Sequence, residues 1–275
     1  MRTKGIFMSF FKSLLGPPDI DTLESRRDID GLIKALDYDS KKETGSQPIR
    51  CHAATALGSL GDPRAVPPLI KRLNDDIIVS GEAAWALGKI GDARAVEPLI
   101  QYISNPDPEK CGFRGKHAWA LGSLGDAKAT DSLIRLLSED RYYLDKDFIK
   151  YILTEKKCAA WALGTLGDKK AIEPLRSIFT ITIEDLVKDY VAKGGKKMDI
   201  NLKGDPHLVA QNEFHEVKKE VGRALFKLGL REDVLCSICT YSDDTFGVER
   251  SCRSKFQKFD YNDCYYTFKP KFYRY

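Results

Sequence analysis

No part of this sequence stays apolar for the ~20 residues that a membrane-spanning helix needs. The early apolar run from Gly5 to Phe11 is interrupted by Lys12, and no small-residue cleavage pattern comes after it. Neither a secretory leader nor a membrane span is expected, and Met1 to Pro18 reads as a short amphipathic capping helix. A disulfide framework is also missing. The seven cysteines, Cys51, Cys111, Cys158, Cys236, Cys239, Cys252 and Cys264, are odd in number and lack small-domain spacing. A reducing, cytoplasmic setting is expected. Nor is there an excess of one charge: 44 basic against 40 acidic residues leave a formal +4, too little to point to a nucleic-acid partner.

What the sequence has in abundance is repetition. The phrase Ala-Ala-Thr-Ala-Leu-Gly-Ser-Leu-Gly-Asp from Ala53 to Asp62 returns, with small changes, from Ala83 to Asp92, His117 to Asp126 and Ala159 to Asp168. A degraded copy runs from Val221 to Gly229, and Arg27 to Leu36 resembles the second half of an incomplete first unit. Terminal units of a repeat array are expected to be atypical. Each phrase is succeeded by a second apolar run with leucine or isoleucine at helical spacing, as from Ala65 to Leu73 and from Ala95 to Ile103. Each unit is therefore expected to contain two helices. At the Gly-Asp step, the glycine can end one helix in the left-handed conformation and the aspartate can cap the next. Pro63 then suits a first helical position. Gly58, Gly88, Gly122 and Gly164 inside the first helix each cost about 1 kcal/mol relative to alanine, and close helix approach is the expected compensation.

The pattern Ala-Leu-Gly-x-[Leu/Ile]-Gly-Asp-x-[Arg/Lys]-Ala-[Val/Ile/Thr]-x-[Pro/Ser]-Leu closely resembles the HEAT-like repeat of the phycobilisome-lyase type. The resemblance implies an all-α, right-handed α-solenoid of helical hairpins over residues 27–230. An N-terminal capping segment, 1–26, precedes it, and a non-repeat, cysteine-containing, aromatic and basic segment, 231–275, comes after it. Spacings between the repeated leucines, Leu57, Leu87, Leu121, Leu163 and Leu225, grow from 30 to 34, 42 and 62 residues. The extra residues form inserts at 105–115, 138–157 and 180–219, all where one unit joins the next, so they are expected to project from one edge. The third contains a candidate amphipathic helix at Ile183 to Val191.

Successive residues on a helix are about 100° apart. With Leu57 pointing to the core, residues 52, 55 and 59 lie on the opposite stripe. Through the repeats that stripe reads His52, Thr55 and Ser59; Glu82, Trp85 and Lys89; Lys116, Trp119 and Ser123; Cys158, Trp161 and Thr165; Glu220, Arg223 and Lys227. All three tryptophans share one repeat position. They are expected to form a ladder, one helix spacing of ~8–10 Å apart, continued by Arg223. The resemblance places this stripe on the concave groove, and tryptophan is enriched at binding hot spots. The candidate partner-binding residues are therefore His52, Glu82, Trp85, Lys89, Lys116, Trp119, Cys158, Trp161, Arg223 and Lys227. The opposing reading is that inserts or the C-terminal tail cover the rings.

Related repeat architectures include bilin lyases and a hydroxylase whose His-Glu pairs hold a di-iron centre just before the repeated alanines. Here those positions read Cys51-His52, Gly81-Glu82, Gly115-Lys116, Lys157-Cys158 and Lys219-Glu220, which cannot supply that ligand set. His215-Glu216 has no matching partners. Cys236, Cys239, Cys252 and Cys264 lack a second close pair and read as reduced cysteines rather than a zinc site. The tail, from Phe256 to Tyr261 and from Tyr265 to Tyr275, interleaves aromatics with cations, which could stack on a nucleic-acid strand; a β-like cap over the last helices is the plainer reading. The expectation is a non-catalytic, protein-binding scaffold without cofactor or metal. A bilin-lyase-like or chromophore-binding role and a nucleic-acid-binding solenoid are the alternatives.

Overall fold

A computed structural model describes residues 17–38, 46–105, 114–139, 146–180 and 206–230; of these, the side chains of 146–152, 179–180 and 206–215 are not described. The helices lie in the first of two units into which the chain divides, Met1–Gly229. Among the described residues there is no strand. A short helix α1 (Ile20–Ser25) precedes α2 (Ile29–Leu36), and then the hairpins begin. They pair α3 (Ser46–Leu60) with α4 (Val66–Arg72), α5 (Ile77–Ile90) with α6 (Val96–Ser104), α7 (Gly115–Leu124) with α8 (Thr130–Ser138), and α9 (Lys146–Leu166) with α10 (Ile172–Thr180). Helix α11 (Pro206–Lys227) adds a final first helix.

First helices α3, α5, α7, α9 and α11 pack side by side in one row. Each second helix packs against the first helix of the next unit, so α4 meets α5, α6 meets α7 and α8 meets α9. The result is the two-layer, all-α solenoid implied by the repeats. Leu57, Leu87, Leu121, Leu163 and Leu225 are fully buried between the layers. Each contributes roughly 1.5–3 kcal/mol relative to an exposed side chain.

At the hairpin turn, Gly91 has φ 77° and donates its N–H to the Leu87 carbonyl at 3.1 Å. A β-carbon would be strained there, which is why glycine closes the helix. Asp92 comes next and accepts from the Arg94 N–H at 2.9 Å. Its carboxyl is held down at about 2 by the forked Arg94 guanidinium and that backbone N–H. Asp62, Asp126 and Asp168 make the same bond in their own units. One detail differs from the sequence expectation. The aspartate caps a single 3-10 turn, such as Pro63–Ala65 or Ala93–Ala95, and the second helix starts after it.

Two inserts also differ from simple projecting loops. Residues 146–157 are the first turns of α9, and 206–219 those of α11, so part of each insert lengthens a first helix. The candidate helix at Ile183 to Val191 and the C-terminal cysteine and aromatic readings lie outside the described residues.

The other unit junction carries a device that recurs through the array. Seven residues before the repeated leucine stand Arg50, Ser80, Arg114 and Lys156. Arg50 donates to the Tyr38 carbonyl at 3.4 Å, Ser80 to Leu73 at 2.8 Å, Arg114 to Ile103 at 3.3 Å and Lys156 to Leu137 at 2.6 Å. Each satisfies a carbonyl at or just past the end of a second helix, where no intrahelical donor exists, and three of the four add a cation to its negative end.

Candidate functional site

The three indoles stand in one row on the first-helix layer. Trp85 and Trp119 are stacked with ring centroids 6.5 Å apart and planes 18° from parallel. Trp119 and Trp161 continue the row at 6.1 Å and 15°. These separations are shorter than the helix spacing expected from sequence, and the interior glycines explain why. A β-carbon on Gly88 would lie 2.8 Å from the Ala120 Cα and 2.9 Å from Cζ3 of Trp119, so the two helices meet backbone to backbone with the ring edge in the notch. Trp85 lies over Gly58 and Trp161 over Gly122 through the same Cζ3 atom. All three rings are half-buried.

Polar and charged groups frame the row. The Lys89 ammonium sits 5.7 Å from the centre of the Trp85 ring, within cation–π range. Lys116 pairs with Glu82 across adjacent units, and Arg223 pairs with Glu220 at 2.9 Å. His52, Lys89 and Lys227 are exposed. Three stripe residues from the sequence reading are buried instead, Glu82 at 7%, Cys158 at 4% and Glu220 at 6% exposure, and are not accessible surface. Glu82 anchors Lys116. Cys158 packs against Gly115, where a β-carbon would lie 3.5 Å from its sulfur.

The described thiols are poor nucleophiles. Burial pushes Cys158 up to about 12, and burial together with the Glu82 and Asp76 carboxylates does the same to Cys51. Both thiols stay protonated in the folded state while the unfolded chain ionises near the ordinary 9.0. Their contribution to stability is complete below that value and is lost as pH rises toward about 12. Native-state alkylation at pH 8 with iodoacetamide, mapped by mass spectrometry, is expected to leave Cys51 and Cys158 unmodified until the chain is denatured. Rapid labelling of either residue in folded protein would contradict this.

Sequence reasoning missed a buried ionic cluster beside the row. Arg114, 3% exposed, is held by Glu155, also 3% exposed, through its backbone N–H at 2.7 Å, Nε at 3.2 Å and Nη2 at 3.1 Å. Glu139 meets the same guanidinium at 2.7 Å. Beside it His117 stacks on Tyr102 at 3.7 Å and lies 3.1 Å from the Ser80 hydroxyl. The available signal was a hydrogen-bond donor at one aligned position of four successive units. Among the described residues no group of three His, Cys, Asp or Glu side chains could hold a metal ion, and no helix is long and apolar enough to cross a membrane. The face is suited to contact: aromatic, donor-rich and edged by cations.

Family models match this array directly. Residues 74–147 match HEAT repeats, and residues 49–75 and 159–179 match the PBS lyase HEAT-like repeat. The chain carries HEAT-like repeats. Among curated proteins, the chain is 60% identical over 83 residues to the phycocyanobilin lyase subunit alpha of Pseudanabaena tenuis, covering 30% of this chain and 31% of that one. The same subunit from Microchaete diplosiphon is 56% identical over 46 residues, 16% of each chain. The chain thus spans less than a third of the length of these relatives. Among solved structures, the CpcE–CpcF complex of phycocyanin lyase from Nostoc sp. aligns at a TM-score of 0.37 and 21% identity, covering 71% of this chain and 86% of that one. Human deoxyhypusine hydroxylase aligns at 0.35 and 18%, covering 83% and 94%.

Proposed function

We propose that this HEAT-like array is a non-catalytic scaffold that holds a segment of a partner protein against its tryptophan face. The observation that carries the reading is the row itself: three near-parallel rings, stacked at 6.5 and 6.1 Å and half-buried, on a stripe otherwise made of polar and charged residues. Buried rings in a core need no such alignment. A row of aromatics with open edges supplies large contact area with little side-chain entropy to lose, as binding hot spots do. Lys89, Lys116, Arg223 and Lys227 around it favour an acidic segment. Affinity capture with wild-type chain and with Trp119→Ala tests this. The variant is expected to lose the captured protein, its affinity falling at least about thirtyfold on the hot-spot scale of 2 kcal/mol or more. Equal retention by both proteins would count against the reading.

A second reading rests on the 60% identity over 83 residues to a phycocyanobilin lyase subunit. Bilin handling would use the indoles as a stacking surface for a planar tetrapyrrole and the flanking cations for its propionates. Incubation with phycocyanobilin separates the two: a shifted, Trp119-dependent absorbance favours the pigment, and an unchanged spectrum favours the protein segment.

A further inference from the structure

The orientation of the indoles is more informative than their spacing. In each case Cζ3 is the ring atom lying over the glycine of the preceding first helix. Cζ3 is diagonally opposite Cε2, the carbon bonded to Nε1, so the three N–H groups face away from the notches. Among the described residues no protein acceptor receives any of these N–H groups, and none is a buried, unsatisfied donor. The face therefore carries three indole donors turned away from the notches. The rings that bear them repeat at 6.5 and 6.1 Å.

That interval is close to the repeat of one kind of polypeptide, within its range at 6.5 Å and slightly short of it at 6.1 Å. In an extended chain, carbonyls on the same side recur every second residue, about 6.4–6.8 Å apart. An α-helix has a shorter pitch, about 5.4 Å, and uses its carbonyls internally. We infer that Trp85, Trp119 and Trp161 form a donor ladder that binds alternate backbone carbonyls of an extended, acidic peptide lying along the array. This inference rests on the reading of the tryptophan face as a protein-binding surface and adds the conformation and chemistry of what it holds. Backbone recognition makes the row tolerant of peptide sequence. Charge sets the preference: Lys89, Lys116, Arg223 and Lys227 outnumber the carboxylates of Glu82 and Glu220 along the stripe.

The chain has only three tryptophans, so its indole N–H signals form a complete set of three in a ¹⁵N–¹H correlation spectrum. A fluorescein-labelled octapeptide of alternating valine and glutamate is the probe, titrated into the full chain. All three indole signals are expected to move downfield. Trp119→Phe keeps the ring and removes the donor, and is expected to weaken binding roughly two- to tenfold, the worth of one hydrogen bond. Phenylalanine at all three positions should weaken it by about tenfold or more. Circular dichroism confirms that the variants are folded, and the wild-type titration needs no variant. Unmoved indole signals with full affinity in the triple variant would overturn the ladder while leaving the aromatic surface standing. No binding of the peptide, or its displacement by a ten-residue oligothymidylate, would overturn an acidic peptide as the occupant. Loss of the Trp119→Ala capture effect is the separate outcome that removes the binding face itself.

Discussion

Gly122→Val is expected to lower the melting midpoint by about 6–12 °C, on the order of 3 kcal/mol. A β-carbon at Gly122 would stand 2.7 Å from the Ala162 Cα and 2.7 Å from Cζ3 of Trp161, with the Ala162 Cβ at 2.8 Å. The ring can turn aside, but the Cα of α9 cannot move without the helix. Valine adds two methyl groups to that collision. Helix propensity works the other way, since any ordinary residue is better than glycine by several tenths of a kcal/mol to about 1 kcal/mol. The clash is the larger effect because it is against backbone. Gly122→Ala isolates the balance and is expected to destabilise less than valine. Ser123→Ala, exposed on the same helix, should change stability by no more than about 0.5 kcal/mol. A valine variant that melts like the wild type would mean that α7 and α9 are not packed backbone to backbone, and the ring spacing would lose its cause.

This glycine shows how much of the molecule is legible in the sequence. Its recurrence inside a helix, against propensity, announces close helix approach, and the turn glycine and capping aspartate announce the hairpin. The helical period places Trp85, Trp119 and Trp161 on one stripe. The ring separation is not legible, because it depends on how far the helices close over Gly88 and Gly122. Period alone also mistakes Glu82 and Cys158 for surface. Their burial comes from neighbours in adjacent units, Lys116 of the next unit for the one and Gly115 at the start of the preceding first helix for the other, and no single-helix projection contains those neighbours. The same holds for Arg114 and Lys156, which the sequence places in the inserts but which end on carbonyls of the preceding hairpin.

Arg114 carries the other large expected effect. Removing one partner of a buried ion pair costs about 3–5 kcal/mol, because the remaining charge is left in a poorly solvating site. Arg114→Met takes two of its three donors from Glu155 and the donor from the Ile103 carbonyl. A loss of that size is expected in thermal or urea unfolding. Replacing both members, Arg114→Met with Glu155→Leu, is expected to recover part of it, since no buried carboxylate then remains and Glu139 is open enough to be hydrated. High salt should change the difference little, because the pair is screened by protein rather than by ions. A single variant within about 0.5 kcal/mol of wild type, or a double variant worse than the single, would show that the cluster is solvated after all. Arg114 sits one residue before α7 and Glu155 lies within α9, so the same bonds fix how those helices start. Trp119 and Trp161 stand on those helices, and a weakened cluster should therefore also broaden the indole signals of that pair before it affects Trp85.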